Sequence, residues 1–135
     1  MGKYFDELKR AMDYLGEQDN TIFIGQAVAY KGTSMSNTLK DVDCSKLLEM
    51  PVNEEMQMGI TIGMLMKGFV PVSIYPRWNF LILAADQLVN HLDKLSDMTL
   101  GQYAPKVIIR VAVGVTTPVD PQEQHVGDFT EGFRS

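Results

Sequence analysis

The chain has 135 residues, of which 45% are apolar and 21% charged, and its net charge is -5. That length is one domain with room for a real core, and the balance is globular rather than disordered. An acidic chain without a basic stripe argues against nucleic-acid binding, where phosphate contacts dominate affinity, and a single cysteine, Cys44, with two histidines excludes an internal disulfide and a structural zinc site.

From the N-terminus, Met1 to Arg10 is charged and lacks the apolar stretch of a secretory signal. No run approaches the roughly 18 apolar residues of a membrane span, so no membrane partner is expected and the cytosol is the expected compartment. Tyr4, Phe5, Leu8, Ala11, Met12 and Leu15 recur at helical spacing, and Gly16 ends that helix. Thr21-Ile22-Phe23-Ile24 reads as a buried strand stopping at Gly25. A polar loop is expected over Gly32 to Asn37, then a weakly patterned helix over Thr38 to Leu48. Pro51-Val52-Asn53 is extended or a turn. A helix follows from about Glu54 to Lys67, opened by two glutamates that suit the helix dipole and closed by Gly68. Phe69 to Tyr75 is a strand that Pro76 ends. Leu81, Ala84, Ala85, Leu88, Val89, Leu92 and Leu95 form the longest apolar helical stripe, and Lys106 to Val115 is a strand.

Alternating helices and strands predict an α/β fold with a mainly parallel sheet flanked by helices, one domain over residues 1–135. Residues 114–135 read as an irregular C-terminal loop. A domain of this kind ordinarily ends on a packed element, so the tail points to a fragment or to an edge covered by another chain. Gly25 stands alone where a dinucleotide fingerprint would need three glycines, and there is no phosphate-binding Walker loop and no Gly-x-Ser-x-Gly elbow.

Three places carry usable chemistry. Glu54-Glu55 opens an otherwise apolar helix in which Gly59 and Gly63 lie one turn apart on one face. Each glycine costs about 1 kcal/mol relative to alanine, which suggests close approach of a backbone or ligand there. The ordinary alternative is a solvated glutamate pair and tight helix packing. Tyr75-Pro76-Arg77-Trp78-Asn79-Phe80 follows a strand, where parallel sheets bind ligands, and its rings could stack on a flat group or simply close the core. His125 in the last loop is either solvated or usable near neutral pH.

Five segments occur together in order: Ile22-Phe23-Ile24-Gly25, Pro51-Val52-Asn53-Glu54, Gly68-Phe69-Val70-Pro71-Val72, Phe80 through Asn90 with Asp86-Gln87-Leu88-Val89-Asn90, and Gln124-His125. With them the chain resembles the pyrimidine-binding domain of transketolase-like thiamine-diphosphate enzymes, in particular the beta subunits of 2-oxoacid dehydrogenase first components of the pyruvate, branched-chain and acetoin types. The resemblance covers about residues 4 to 134. It implies that Glu54 hydrogen-bonds N1′ of the cofactor's aminopyrimidine and favours its 4′-imino form, a role suited to a charge-assisted bond in a dry site. Glu55 falls where relatives usually have a small residue. By the same resemblance Phe80 lies near the aminopyrimidine and His125 contacts substrate or intermediate. Arg77 stands in the cofactor pocket where many relatives have an aromatic residue, and could recognise an acidic substrate group. Gln26 replaces an acid and Asn79 a frequent aspartate.

The family holds the diphosphate and its magnesium in a separate domain with Gly-Asp-Gly and a later Asn. Gly127-Asp128-Phe129 is not that element. The final strand, the diphosphate-binding domain and the C-terminal domain of a full beta subunit are also missing, and no metal ligand is assigned here. The resemblance therefore implies a homodimer, or a hetero-oligomer with a diphosphate-binding alpha-type subunit, acting on a small 2-oxoacid or ketose and inactive alone. The competing reading is a non-catalytic interaction or dimerisation module that keeps the fold.

Overall fold

The computed structural model describes residues 2–117 and 120–134. Helix α1 (Lys3–Gly16) leads into β1 (Thr21–Gly25), then α2 (Ser34–Asn37), β2 (Leu47–Glu49), α3 (Glu54–Met66) and β3 (Val70–Tyr75). A helical stretch starts with α4 (Trp78–Leu81) and ends with α5 (Leu95–Met98), before β4 (Ile108–Val111). The four strands form one parallel sheet in the order β2-β1-β3-β4.

Both sheet faces are covered, which is why β1 and β3 read as nearly unbroken apolar runs. On one face Phe23, Val72 and Ile74 pack with Met12 of α1 and with Val28, Leu39 and Val42. On the other, Tyr75 packs with Met58 and Leu65 of α3 and with Leu81, Ala84, Leu92 and Leu95. Pro71 sits early in the central strand β3, but β4 pairing begins only at Val72 with Ile108, so its missing N–H breaks no bond to β4.

Several expectations are corrected. Thr38 to Leu48 is not a helix. A single 3₁₀ turn (Cys44–Lys46) leads straight into β2, which pairs with β1 through Phe23 and Leu47. Three residues are too few to show a strand's alternation. Lys46 beside it does local work: its Nζ donates to the carbonyls of Gly16 and Gln18, at 2.8 and 2.5 Å, closing the end of α1. The polar loop at 32–37 contains one helical turn, set by a reciprocal cap in which Ser36 N–H donates to Thr33 Oγ1 and Thr33 N–H to Ser36 Oγ.

The long stripe at 81–95 buries Leu81, Ala84, Leu92 and Leu95 but leaves Val89 exposed, and it does not run on one regular helix. A 3₁₀ turn (Ile82–Ala84) and a π-helical stretch (Gln87–Leu92) interrupt it. The strand expected over 106–115 pairs only over Ile108–Val111, because β3 ends at Tyr75, the partner of Val111, and Pro76 follows. Among the described residues no strand follows β4. The tail makes two 3₁₀ turns, Gln122–His125 and Thr130–Phe133, and the Phe133 ring stacks on Trp78 at 5.5 Å. Among the described residues no helix is long and apolar enough to cross a membrane.

Candidate functional site at the carboxyl edge of the sheet

Parallel sheets present ligand sites beyond the carboxyl ends of their strands. Here those ends are Gly25, Glu49, Tyr75 and Val111. Gly25 has φ of 154°, and a Cβ there would overlap the Ile74 carbonyl of β3. The chain then turns through Ala27 at φ 57°. One carboxylate fixes that turn: Glu49, the last residue of β2, accepts the N–H groups of Ala27, Val28 and Ala29 at 2.7, 3.0 and 2.8 Å.

The turn delivers Gln26 to Glu54. Gln26 Nε2 donates to Glu54 Oε1 at 3.2 Å. Glu54 opens α3, where Asn53 Oδ1 caps the helix by accepting the Met56 N–H at 2.9 Å. The residue is only 5% exposed, whereas Glu55 faces solvent. Among the described residues Gln26 is the only donor to the Glu54 carboxylate, and its second oxygen has no partner there.

Below it, Tyr75 donates its hydroxyl to the Glu54 backbone carbonyl at 3.4 Å. Burial pushes the Tyr75 phenol up to about 12, with the Glu54 charge adding to the shift and a hydrogen bond with Ser73 opposing it. One turn further along α3, the buried Gln57 Nε2 donates to Ile74 O at 3.0 Å and Ser73 Oγ at 3.1 Å, and lies 3.4 Å from Ile24 O. Thr61 Oγ1 joins Ser73 Oγ at 3.1 Å. This dry polar network seats the start of α3 across β1 and β3, and so sets where Glu54 stands.

The other sequence candidates cluster beside β3 and β4. Phe80 and His125 meet ring to ring, with centroids 5.3 Å apart and planes inclined by 56°. His125 Nδ1 and Asn79 Oδ1 are both buried without a hydrogen-bond partner. Arg77 and Phe80 line one cavity of about 720 Å³, with Tyr4, Phe5 and Arg110 among the other walls. Glu54 is not part of that wall. Its nearest link to it is through Gln26, whose neighbour Ala27 lines the cavity. The structure thus puts Arg77 and Phe80 on one cavity wall and Phe80 against His125, and holds Glu54 apart from them at the start of α3.

Sequence reading passed over Arg110, a member of an expected strand. Its signal was a lone charge inside Ile108-Ile109-Arg110-Val111. The approach of a backbone expected at Gly59 and Gly63 is not made within the chain, since a Cβ at either would meet nothing within 4 Å. Among the described residues no three His, Cys, Asp or Glu side chains gather as a metal site.

No protein-family model matches the chain. It is similar to the mitochondrial pyruvate dehydrogenase E1 component subunit beta of Ascaris suum, 30% identical over 132 residues, 95% of this chain and 36% of that protein. The pyruvate dehydrogenase E1 component subunit beta of Gracilaria tenuistipitata var. liui is 31% identical over 116 residues, 82% of this chain and 36% of its own length. The 3-methyl-2-oxobutanoate dehydrogenase subunit beta of Mycobacterium tuberculosis is 29% identical over 134 residues, 93% of this chain and 36% of that protein. The chain therefore spans about a third of the length of these curated relatives. Over that third, with its four-stranded parallel α/β sheet, the chain is homologous to the beta subunits of 2-oxoacid dehydrogenase first components.

Proposed function

We propose that residues 1–135 are a single pyrimidine-binding domain or subunit of a thiamine-diphosphate-dependent 2-oxoacid dehydrogenase or transketolase-like enzyme, with Glu54 activating the cofactor once a diphosphate-binding chain is present. The observation that carries the reading is the Glu54 carboxylate, 5% exposed at the carboxyl edge of the sheet, with one oxygen held by Gln26 and the other unclaimed among the described residues. Such a group fits a protonated ring nitrogen. The donor set here does not fit magnesium, which is assigned with the diphosphate to an alpha-type partner chain.

Thiamine diphosphate, when bound, would supply carbanion chemistry toward the 2-oxo group of a small 2-oxoacid or ketose. Glu54 holds the proton at N1′ of the aminopyrimidine, and Gln26 fixes the carboxylate without competing for that proton. Phe80 would offer an aromatic face to the flat ring. His125, whose Nδ1 has no partner among the described residues, would offer an imidazole to substrate. Arg77 contributes positive charge to the same pocket. A homodimer or hetero-oligomer would complete the site, and no activity is assigned to the chain alone. The proposed compartment is the cytosol. The Ascaris suum relative is mitochondrial by name, so cell fractionation decides this point.

The test is the assembled enzyme with Glu54→Gln. Loss of 2-oxoacid decarboxylation, with assembly intact, is the expected result; full activity removes Glu54 from the mechanism. The second reading, a non-catalytic interaction module, draws on Met56, Gly59, Gly63 and Met66 of α3, which are exposed among the described residues. Sedimentation and calorimetry separate the two: a stable dimer that takes no cofactor even with the partner chain favours the module.

A further inference from the structure

The cavity between α1 and β4 has an unusual charge for this molecule. The chain carries a net charge of -5, yet the cavity wall holds two arginines, Arg77 and Arg110, and no Asp or Glu. Neither arginine has a carboxylate within ion-pair distance among the described residues. Charges of one sign gathered against chain-wide charge of the other call for a counter-charge, and none is supplied from within.

Arg110 is the better defined of the two. It stands in β4 with its side chain on the α1 face, opposite Ile109 and Val111, which join the cluster on the α3 face. It is half-buried, and burial lowers the guanidinium pKa from the ordinary arginine range while the nearby Tyr4 opposes the shift. Its one hydrogen bond among the described residues runs from Nη1 to Thr38 Oγ1 at 2.7 Å. Thr38 cannot turn away, because its own hydroxyl donates to the Met35 carbonyl at 2.6 Å. The guanidinium is thus oriented by one contact while its other four N–H donors have no acceptor among the described residues. The partly buried apolar walls of Phe5, Leu8 and Phe80 thin the water around it, which strengthens any charge pairing there. A volume of about 720 Å³ suits a small molecule.

We propose that this cavity is an oxyanion subsite in which Arg110, oriented by Thr38, and Arg77 bind the carboxylate or phosphate of a small-molecule ligand. As an anion site it stands independently of the thiamine reading. Its further meaning, that the substrate carries an acidic group remote from the reacting 2-oxo carbon, rests on that reading through Phe80, which lines this cavity and touches His125.

The experiment is calorimetric titration of the full protein in its native assembly, without thiamine diphosphate, using glutarate, inorganic phosphate and neutral glutaramide as probes. The expected result is saturable binding of glutarate or phosphate and none of glutaramide. The stronger of the two anions identifies the carboxylate or the phosphate as the natural group. Arg110→Met should weaken that binding by about tenfold or more, the loss of a charge-assisted hydrogen bond. Arg110→Lys should restore part of it, since charge returns without the fork. Thr38→Val keeps both charges but unties the guanidinium. It should weaken binding a few-fold, and it serves as the probe if Arg110→Met fails to fold. Equal binding of glutaramide, or anion binding unchanged in Arg110→Met and Thr38→Val, overturns the proposal. Because no cofactor is present, the outcome is independent of whether Glu54→Gln abolishes catalysis.

Discussion

Gln57 offers a sharp test of how α3 is seated. Its amide is buried and its two N–H groups face three acceptors on β1 and β3: Ile74 O at 3.0 Å, Ser73 Oγ at 3.1 Å and Ile24 O at 3.4 Å. Gln57→Met keeps the volume and removes both donors. Two net hydrogen bonds at about 1 kcal/mol each give a loss near 2 kcal/mol. Ser73 Oγ retains Thr61, which limits the damage on that side. For a domain of this size the loss corresponds to a fall in Tm of about 7 °C, or about 1 M in the urea midpoint. Gln57→Glu should be worse, about 3 kcal/mol or more, because it turns a carboxylate toward two carbonyl oxygens. Urea titrations followed by far-ultraviolet circular dichroism and Trp78 fluorescence measure both. A Gln57→Met change within about 0.5 kcal/mol of zero, or a Gln57→Glu protein as stable as Gln57→Met, would refute the view that this network holds α3 in place.

The remaining predictions concern the site and its surroundings. Glu54→Gln in the assembled enzyme should eliminate 2-oxoacid turnover, and Arg110→Met should cut oxyanion affinity by about tenfold or more. Tyr75 links stability to alkaline pH. Its phenol sits at about 12 in the fold, above the unfolded value of 10.0, so the stabilisation is complete below pH 10 and fades as pH rises toward 12. At most about 3 kcal/mol is involved, and Tyr75→Phe should flatten this part of the stability profile; an unchanged slope contradicts the assignment. A Cβ on Gly114 would overlap the His125 carbonyl, so Gly114→Ala should push the Gln122–His125 turn away from Phe80. The signature is a lost nuclear Overhauser contact between the two rings with stability down by only about 1 kcal/mol, since the turn lies at the surface. A retained contact would mean that the tail reaches His125 by another path.

What could be read in advance follows from how each element is stabilised. Helix α1 shows its face in Leu8, Met12 and Leu15 because one side alone meets the sheet. Strands β1 and β3 show as apolar runs because both sides are covered. Helix α3 announces its start through Asn53 and Glu54, whose roles are local. Strand β2 is different. Its existence depends on β1 lying alongside, and Leu47-Leu48-Glu49 has no period of its own. The opposite error at β4 has the same origin: Val113 and Val115 look strand-like, but β3 has ended and offers them nothing to pair with. Among site residues, pattern marks the Glu54-Glu55 pair and the resemblance selects Glu54, whose partners Gln26 and Tyr75 arrive from the turn after β1 and from β3. Arg110 went unnoticed because strand periodicity says nothing about a cation whose neighbours, Thr38 and Tyr4, lie far away in the chain.

The strand order has a consequence for how such a chain can diverge. After β1 the chain moves outward to β2, then crosses back over β1 to lay down β3 on its far side. The connections leaving β1 and β3 therefore depart in opposite directions and open a notch between them that no side chain had to carve. Gln26 descends from one lip, and Arg77 and Asn79 from the other, all on connecting segments rather than within the sheet. The winding of the backbone makes the notch. Because none of the three residues lies in a strand, exchanging any of them leaves the β1–β3 register untouched.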